Sequence, residues 1–379
     1  MKNVLLVFGG SSYEHDVSIV TASQIFNKTM IDDIKLVPLY VSKKNHFYLY
    51  NSKNFNIKDF IDFKDKSKKF KEVKFISAEY EKLFEKTRFG LKEILSVKDA
   101  IIACHGGFGE NGELVSFLDK FGISSSSGSF SALNICMNKF IFKQVMRGIK
   151  VPIVAGFKIS KIDYENEFER IKIKIKLLKF PVIIKANSGG SSIGLFVAKN
   201  REEFNLKLKD AFEFDDEVLI EKYIESTREF NVAIVGSLSK YKVSEIDEPI
   251  KENEILTFAD KYLSCGGKKC GKKSMASSLR KFPADICDSL KEKIKFYAEK
   301  IFVNLNLSGV VRIDFLYDEK NDKIYVCEVN AVPGSLAYYF FEENRISCND
   351  LVLNLLDVCE KNKLTKQVLK QEYFTNILG

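Results

Sequence analysis

The chain of 379 residues has no tryptophan, only three histidines, no Arg-rich tract, no Pro-rich linker and no internal repeat. No uncharged apolar run approaches the roughly 20 residues that cross a bilayer, which argues against a membrane-spanning segment. The net charge is +8, but the lysines are spread along the chain and interleaved with acids. Without an Arg-rich tract or an aromatic RNA-binding signature, nucleic acid is not the expected partner. The absence of tryptophan is consistent with coding bias and excludes no function.

The cysteines and the N-terminus predict a cytoplasmic protein. "MKNVLLVFGG" has too short an apolar run and too early a glycine pair for a signal peptide, so we expect a first strand there. Most of the eight cysteines lie in apolar contexts and are expected to be core residues. Cys265 and Cys270 instead lie in a polar segment. A zinc site would need two more ligands, which are not nearby, so reduced thiols are favoured over metal.

The length indicates two or three domains, and the first 135 or so residues predict a parallel sheet covered by helices. Short apolar runs such as "NVLLVFGG", "IKLVPLYVS" and "AIIACHGG" are each followed by polar or helical stretches, including a helix from about residue 17. Ligands of such sheets bind at the carboxyl ends of the strands. The glycine pairs Gly9-Gly10 and Gly106-Gly107 stand at two of those ends.

The rest of the chain predicts smaller mixed units. "IKIKIK" alternates like a strand, yet Phe168, Ile171, Ile175 and Leu178 follow helical spacing, and we favour a helix. Strands are expected on both sides of a glycine loop in "PVIIKANSGGSSIGLFVA". Further along, a long helix is expected, and "GVVRIDFLYD" and "KIYVCEVN" flank the turn signal "EKND" as a hairpin.

The loop "KANSGGSSIG" is a candidate phosphate-binding loop. Its glycines and serines allow consecutive backbone N–H groups to face one anion, and Lys185 adds a compact positive charge. It lacks P-loop spacing and does not open a helix. A flexible hairpin connection is the alternative.

The hairpin places Arg312, Asp314, Glu328 and Asn330 near one another. If Asp314 and Glu328 lie opposite each other, with Asn330 two residues on, three hard oxygen ligands converge as Mg²⁺ requires. A solvated carboxylate pair is the alternative, but these strands are otherwise apolar and unpaired buried carboxylates are costly. Arg312 shares the face of Asp314 and suits stabilisation of developing negative charge.

Two of the three histidines lie in strand-end loops. "GGSSYEHDVS" contains Glu14 and His15, and "CHGGFGENGE" contains His105 and Glu110. This placement favours a site over core imidazoles, although neither histidine is assigned as a general base.

These motifs, in this order, resemble the D-alanine:D-alanine ligases of the ATP-grasp superfamily. The blocks that carry the resemblance are "FGGSSYEHDVS", "HGGFGENG", "MNK", "IIKANSGGSSIG", "VLIEKYI" with "REF", "DKY", "RIDF" and "EVNAVPG", from residue 8 to residue 334. Each block is weak alone, but together they cover nearly the whole chain.

The resemblance implies an α/β chain with a three-domain ATP-grasp fold: an N-terminal parallel-sheet domain and two α+β domains that enclose ATP. We expect the domains at residues 1–135, 136–230 and 231–379, with a lid at 250–278. ATP and two Mg²⁺ ions are the implied cofactors, with Mn²⁺ as an alternative metal. The implied ATP-binding residues are Lys139, Lys185, Ser191, Ser192, Glu221, Lys222, Ile224, Glu229 and Lys261, and the implied metal ligands are Asp314, Glu328 and Asn330.

For catalysis, the resemblance implies that two D-alanines are joined through an acyl phosphate for peptidoglycan precursor synthesis. Glu14 would receive the ammonium group of the first D-alanine and would join Ser191 and Tyr262 in a hydrogen-bonded set. Arg312 and the Gly334 N–H would stabilise the oxyanion. The residues implied to act in catalysis or substrate binding are Glu14, His105, Ser191, Tyr262, Arg312, Gly334, Ser335 and Leu336.

The sequence departs from the family pattern at several places, and two of them concern the ribose contact and the second substrate. The spacing from Glu221 to Glu229 is one residue longer than in many relatives, and "SLAYYF" after Gly334 is shorter than the usual segment. The alternatives are a D-alanine:D-lactate ligase, which Tyr262 argues against, another ATP-grasp carboxylate-amine ligase, and a non-catalytic nucleotide-binding regulator. A homodimer is the family expectation.

Overall fold

The computed structural model describes residues 1–250 and 280–368, apart from residues 53, 62, 65–67, 77–78, 167, 192 and 343–344. Ser192, Lys261, Tyr262, Cys265 and Cys270, with nearly all of the predicted lid, therefore lie outside the described residues. In the described residues, the strands form three larger sheets and one separate hairpin. None of the helices in the described ranges is long and apolar enough to cross a membrane.

The first sheet comes from the N-terminal third of the chain. The strands of this region are β1 (Lys2–Gly9), β2 (Ile34–Val41), β3 (Phe47–Tyr50), β4 (Phe70–Glu72), β5 (Lys82–Thr87), β6 (Gly90–Ser96), β7 (Asp99–Ile102) and β8 (Ser124–Ser125). The sheet order is β4-β3-β2-β1-β7-β8, and β5 and β6 form the separate hairpin. Strands β2, β1, β7 and β8 are parallel, as predicted.

The edge of this sheet is antiparallel, which the sequence pattern did not indicate. Strand β3 pairs antiparallel with β2, and β4 antiparallel with β3. Only five residues join β2 to β3. Such a connection permits a hairpin, whereas a parallel return needs a crossover of a dozen or more residues.

Helices accompany the first sheet, and the first of them carries site residues. They are α1 (His15–Lys28), α2 (Lys58–Ile61), α3 (Gly107–Glu110) and α4 (Glu113–Lys120). Ser18, Ala22 and Ile25 of α1 are buried at spacings of four and three, which is the pattern of a helix with one face toward a core. Since α1 packs on β1, its N-terminus lies at the edge where β1 ends.

The second sheet is antiparallel and contains the glycine loop. The elements of this region are α5 (Phe130–Met137), α6 (Lys139–Gly148), β9 (Gly156–Ser160), α7 (Lys161–Asn166), α8 (Phe168–Leu178), β10 (Val182–Ala186), β11 (Leu195–Ala198), α9 (Arg201–Ala211) and β12 (Glu217–Lys222). The strand order is β11-β10-β12-β9. "IKIKIK" is helical, as predicted, because Ile171 and Ile175 are one turn apart and both enter the core under this sheet.

The third sheet is also antiparallel and contains the predicted hairpin. The elements are β13 (Thr227–Ser237), β14 (Lys240–Pro249), β15 (Arg280–Lys281), α10 (Asp288–Asn304), β16 (Gly309–Asp318), β17 (Lys323–Asn330) and α11 (Cys348–Val368), with a 3₁₀ segment at Gly334–Phe340. The order is β15-β14-β13-β16-β17. Leu290, Ile294 and Ile301 of α10 are buried against this sheet, as the helical spacing predicts.

The C-terminal segment returns to the first sheet. Leu336, Phe340 and Leu355 belong to the same buried cluster as Val7 and Ile101. Helix α11 packs against β7, β8 and β13. The segment after β17 therefore joins the third sheet to the first, and the domain bounds at 135 and 230 stay predictions.

Candidate active site

Three loops converge on the carboxylate of Glu14. Glu14 is the N-cap residue of α1, and the Ser191 hydroxyl, from the loop between β10 and β11, donates a hydrogen bond to its Oε1. A Cβ atom added to Gly190 would lie 2.6 Å from Glu14 Oε2, and one added to Gly106 would lie 2.9 Å away. A side chain at either position would displace the carboxylate, and the φ of 66° at Gly106 also favours glycine there. Tyr262, the third predicted member of this set, is not among the described residues.

His105 lies deep beside this carboxylate, in the loop after β7. Its side chain is buried, with Nδ1 2.6 Å from the Val332 carbonyl oxygen and Nε2 2.8 Å from Thr21 Oγ1. Burial lowers the pKa of His105, so the ring is neutral at pH 7. A neutral ring in this position supplies hydrogen bonds and no charge.

His15 is a structural histidine, in contrast to the interpretation that both loop histidines belong to a site. Its Nδ1 lies 2.7 Å from the Gly10 carbonyl oxygen, and its Nε2 lies 3.2 Å from the Tyr40 hydroxyl. Both ring nitrogens are thus satisfied inside the core, and burial lowers the pKa of the ring. His15 begins α1 directly after the glycine-rich loop, and its contact with Gly10 supports that loop.

Glu110 links the loop after β7 to the segment after β17. Its carboxylate accepts N–H hydrogen bonds from Gly106, at 3.0 Å, and from Val332, at 3.2 Å. Burial, reinforced by the negative charge of Glu14, outweighs these donors and raises the pKa of Glu110 to about 7. Glu110 therefore acts as a buried clamp between two loops of the site.

Lys139 and Lys185 bring positive charge to the glycine loop, as predicted. Lys139 begins α6, and its Nζ donates to the Gly189 carbonyl oxygen. Burial lowers the pKa of Lys139, and the neighbouring Lys185 acts in the same direction. Burial alone would lower the pKa of Lys185 as well, but Glu221 raises it. Two amines therefore lie beside backbone that is rich in glycine and serine, an arrangement suited to phosphate.

Glu221 binds two lysines, Lys185 and Lys143. Lys143 was not among the predicted site residues. The Glu221 carboxylate lies 2.7 Å from Lys185 Nζ and 2.6 Å from Lys143 Nζ, and all three side chains are largely buried. Burial opposes ionisation of Glu221, but the two lysines outweigh it and lower its pKa to about 2. Lys143 follows Lys139 by four residues in "MNKFIFK", so helical spacing already places both on one face of α6.

Most of the predicted nucleotide residues that the structure describes line one cleft between the second and third sheets, and Ser191 is not among them. The cleft has an open volume of about 1080 Å³. The predicted residues along its walls are Lys139, Lys185, Glu221, Lys222, Ile224, Glu229, Asp314 and Glu328. Lys143, Tyr223 and Cys327 line it too, and sequence reasoning assigned them no role. Apolar wall residues such as Ile183 and Leu316 offer a surface for a flat aromatic base.

The hairpin β16–β17 places its polar side chains where the sequence predicted. Asp314 lies opposite Glu328, and Arg312 lies opposite Asn330. The Arg312 guanidinium donates two hydrogen bonds of 2.7 Å to Asp314. Asn330 Nδ2 lies 3.0 Å from Asp314 Oδ2. The register shifts between Asp314 and Phe315, a local bulge of the kind often found beside active sites.

The donor set at this hairpin fits a hard divalent cation. Asp314 and Glu328 contribute two carboxylates here, and within the described residues no group of three or more His, Cys, Asp or Glu side chains is placed to hold a metal. Asn330 adds an amide oxygen, and the cleft provides room for phosphate oxygens. Two carboxylates plus phosphate oxygens and water are the usual surroundings of Mg²⁺ in nucleotide sites.

The segment after β17 is fully enclosed. Gly334, Ser335 and Leu336 are buried, and Ser335 and Leu336 each expose only 1% of their surface. Contact of Ser335 and Leu336 with the carboxylate of a second substrate stays a prediction.

Family models and known relatives match the chain along nearly its whole length. The model described as D-ala D-ala ligase N-terminus matches residues 3–127, and the one described as D-ala D-ala ligase C-terminus matches residues 145–357. A D-alanine–D-alanine ligase of Thermosipho melanesiensis is 32% identical over 100% of this chain and 98% of that protein. One from Helicobacter pylori is 29% identical over 98% of each.

A solved structure supports the same assignment. The crystal structure of D-alanine–D-alanine ligase from Helicobacter pylori superposes with a TM-score of 0.74 at 26% identity and covers 95% of this chain and 98% of that one. The α/β ATP-grasp fold that the resemblance implies is thereby confirmed. The chain belongs to the D-alanine–D-alanine ligase family.

Proposed function

We propose that this protein joins two D-alanines to D-alanyl-D-alanine at the expense of ATP, for peptidoglycan precursor synthesis. One observation carries the proposal: the hydrogen bond from Ser191 to Glu14. It places a carboxylate able to bind an ammonium group directly beside a loop suited to phosphate. A site that phosphorylates the carboxylate of an amino acid needs this proximity, because amine recognition and phosphoryl transfer occur on the same small molecule.

In the first step, the carboxylate of the first D-alanine attacks the γ-phosphorus of ATP. A new O–P bond forms, the bond to the β-phosphate oxygen breaks, and ADP leaves with the electron pair. Glu14 binds the ammonium group and orients the amino acid. Lys139 and Lys185 neutralise phosphate oxygens as charge moves between them. The product is an acyl phosphate, which is a far better electrophile than a carboxylate.

In the second step, the free amine of the second D-alanine attacks the acyl carbon. A C–N bond forms, the tetrahedral intermediate collapses, and the C–O bond to phosphate breaks. The amine loses one proton, which the departing phosphate carries away as hydrogen phosphate. Arg312 and the Gly334 N–H stabilise the oxyanion of the intermediate. Asp314 holds the Arg312 guanidinium in a fixed orientation by two hydrogen bonds, so little reorganisation is needed at the moment of reaction.

Asp314, Glu328 and Asn330 are the residues that would hold the metal. Two Mg²⁺ ions, or Mn²⁺ in their place, supply positive charge that compensates the phosphate oxygens of ATP. The family resemblance also supports a cytoplasmic homodimer whose small-molecule partners are ATP and D-alanine, with neither nucleic acid nor membrane among its partners.

The deciding experiment is phosphate release from ATP by the purified protein, with D-alanine, L-alanine or D-alanine plus D-lactate supplied. We expect release with D-alanine alone and D-alanyl-D-alanine as the product. No stimulation by D-alanine would refute the proposal. A requirement for D-lactate would instead select a depsipeptide ligase.

Glu328→Gln tests the metal assignment. The substitution keeps size and removes one anionic ligand, so we expect kcat to fall by more than about 100-fold, since even the partners of metal ligands are worth roughly 10- to 100-fold. Turnover is measured against Mg²⁺ concentration. Glu319→Gln, at an exposed position just beyond β16, is the matched control and should retain wild-type turnover. Equal rates in the two variants would contradict the assignment.

A further inference from the structure

Three consecutive non-glycine residues after Gly334 adopt the left-handed conformation. Ser335, Leu336 and Ala337 have φ values of 58°, 46° and 48°. L-residues rarely adopt this region, and a run of three persists only where the surroundings enforce it. We call Ser335–Ala337 the left-handed turn. It follows directly after the Gly334 N–H that is predicted to face the oxyanion.

The first anchor of the left-handed turn is a threonine far away in the sequence. The Ser335 N–H donates a 2.9 Å hydrogen bond to Thr21 Oγ1, across 314 positions of the chain. Thr21 belongs to α1, whose N-cap is Glu14, and it exposes only 1% of its surface. Within the turn itself, the Leu336 N–H donates to the Pro333 carbonyl oxygen at 2.8 Å. The helix that carries Glu14 thus also holds the turn.

The same hydroxyl also contacts His105, whose protonation is set by the Val332 carbonyl oxygen. The Val332 carbonyl oxygen can only accept, so His105 Nδ1, 2.6 Å away, carries the proton. In the neutral ring, Nε2 is then an acceptor, and the Thr21 hydroxyl donates to it at 2.8 Å. Thr21 Oγ1 keeps a lone pair for the Ser335 N–H. Each of the three donors, His105 Nδ1–H, the Thr21 hydroxyl and the Ser335 N–H, therefore has one acceptor, and a neutral His105 allows only this assignment of protons.

We propose that Thr21 is a positioning residue for acyl transfer. Its hydroxyl donates to His105 Nε2 and holds the left-handed turn, so that the backbone after Pro333 presents the Gly334 N–H and the binding surface for the second D-alanine. This inference rests on the proposed function. It assigns a role in that function to Thr21, which acts through Ser335 and His105 and not through contact with substrate or phosphate. ATP binds in the cleft between the second and third sheets, so the KM for ATP should not depend on Thr21.

Kinetics of Thr21→Val and Thr21→Ser test the proposal. Valine keeps the shape of threonine but removes the partner of both Ser335 N–H and His105 Nε2, whereas serine keeps the hydroxyl. We expect Thr21→Val to lower kcat/KM for the second D-alanine by roughly 10- to 100-fold, since misplacement by about 1 Å costs as much as 100-fold. The KM for ATP should stay within about twofold of the wild-type value, and Thr21→Ser should restore most of the loss.

Thr29→Val is the matched control on the same helix. The Thr29 hydroxyl donates to the Ile25 carbonyl oxygen at 2.6 Å, at the other end of α1, and should be dispensable for turnover. Wild-type kinetics in Thr21→Val, or equal damage in Thr21→Ser, would overturn the proposal while leaving the proposed function standing. A wild-type protein that D-alanine does not stimulate would overturn both.

An NMR measurement on the wild-type protein tests the hydrogen-bond arrangement even if Thr21→Val does not fold, and a folded variant adds a comparison. The chain has three histidines, so ¹⁵N-histidine labelling gives few signals. We expect His105 of the wild type to carry its proton on Nδ1, and the Nε2 resonance of Thr21→Val to move toward that of an imidazole nitrogen without a hydrogen bond. A proton on Nε2 in the wild type, or the same Nε2 resonance in both proteins, would contradict the role of Thr21.

Discussion

At the scale of single residues, the charge inside the nucleotide cleft is arranged around Glu221. A buried carboxylate with one amine would be a neutral pair, but Glu221 has two, Lys143 and Lys185. The excess positive charge is available to a phosphate group. The Lys143 side chain is more deeply buried than that of Lys185, with 4% of its surface exposed compared with 16%. We therefore assign Lys143 to support of Glu221 and Lys185 to contact with the nucleotide.

Lys143→Met should separate these two roles. The change leaves Glu221 with one partner, so we expect a loss of roughly 2 kcal/mol in unfolding free energy, less than the 3–5 kcal/mol of a fully broken buried pair. The KM for ATP should rise, because Glu221 then binds Lys185 alone. Urea unfolding and steady-state kinetics measure the two effects.

A second substitution and a surface control complete this test. Glu221→Gln added to Lys143→Met should cost further stability, because it removes the carboxylate that neutralises the buried Lys185. Arg147→Met removes a cation from an exposed position of the same helix and should change stability by no more than about 0.5 kcal/mol. If Lys143→Met were as stable as Arg147→Met, the support role would be wrong.

At the scale of elements, the left-handed turn is the most unusual part of the chain. Residues in helices and strands adopt backbone angles that L-amino acids favour. Ser335–Ala337 adopts the left-handed region instead, which costs roughly 1–2 kcal/mol of conformational free energy per residue. Burial of Leu336 and Ala337 and the contact with Thr21 compensate this cost. The stability of the turn is therefore supplied by α1 and the core, and not by its own sequence.

Ala337→Gly tests the left-handed conformation. Glycine adopts this region without strain, so relief of roughly 1 kcal/mol should offset the lost methyl contacts, and we expect unfolding free energy within about 0.5 kcal/mol of wild type. Ala298→Gly in α10 is the matched control, since both alanines are 0% exposed. It should lose about 1 kcal/mol or more because glycine is unfavourable in helices. Equal losses in urea unfolding would argue against a left-handed Ala337.

At the scale of the whole molecule, the end of the chain stabilises its beginning. The Ser124 hydroxyl donates a 2.7 Å hydrogen bond to the Cys359 carbonyl oxygen, and Asn362 Nδ2 donates to the Ser125 carbonyl oxygen at 3.0 Å. Leu351 and Leu355 of α11 lie in the core under the first sheet. The site depends on this connection, because Glu14 and His105 come from the first sheet and Arg312 comes from the third.

Leu355→Ala should therefore weaken the first sheet from the far end of the chain. Leu355 is 1% exposed, and we expect a loss of about 3 kcal/mol, within the roughly 2–5 kcal/mol typical of such changes. Hydrogen exchange should show reduced protection in β1 and β7 as well as in α11. Leu353→Ala, two residues earlier and 47% exposed, should stay within about 0.5 kcal/mol of wild type. Loss of protection confined to α11 would contradict the connection.

The sequence by itself determined the local elements and most candidate residues. Strand and helix periods depend on neighbouring side chains, so "IKIKIK" was recognised as a helix and the register of Asp314 with Glu328 was anticipated. The glycine loop with Lys185 was recognised because phosphate binding needs a particular local backbone. Lys143 could have been found from its spacing to Lys139 on α6.

Only the tertiary structure decided which residues distant in sequence form hydrogen bonds with each other or lie close enough for their charges to interact. Thr21 looks like any buried helix residue until Ser335, 314 positions away, donates to it. Glu110 has a pKa raised to about 7 because packing buries it near Glu14, and its own neighbours in sequence do not indicate this. Burial and hydrogen-bond partners depend on how the sheets pack together. The amino-acid sequence alone therefore determined which functional groups the protein contains, and packing determined which of them lie together in the site.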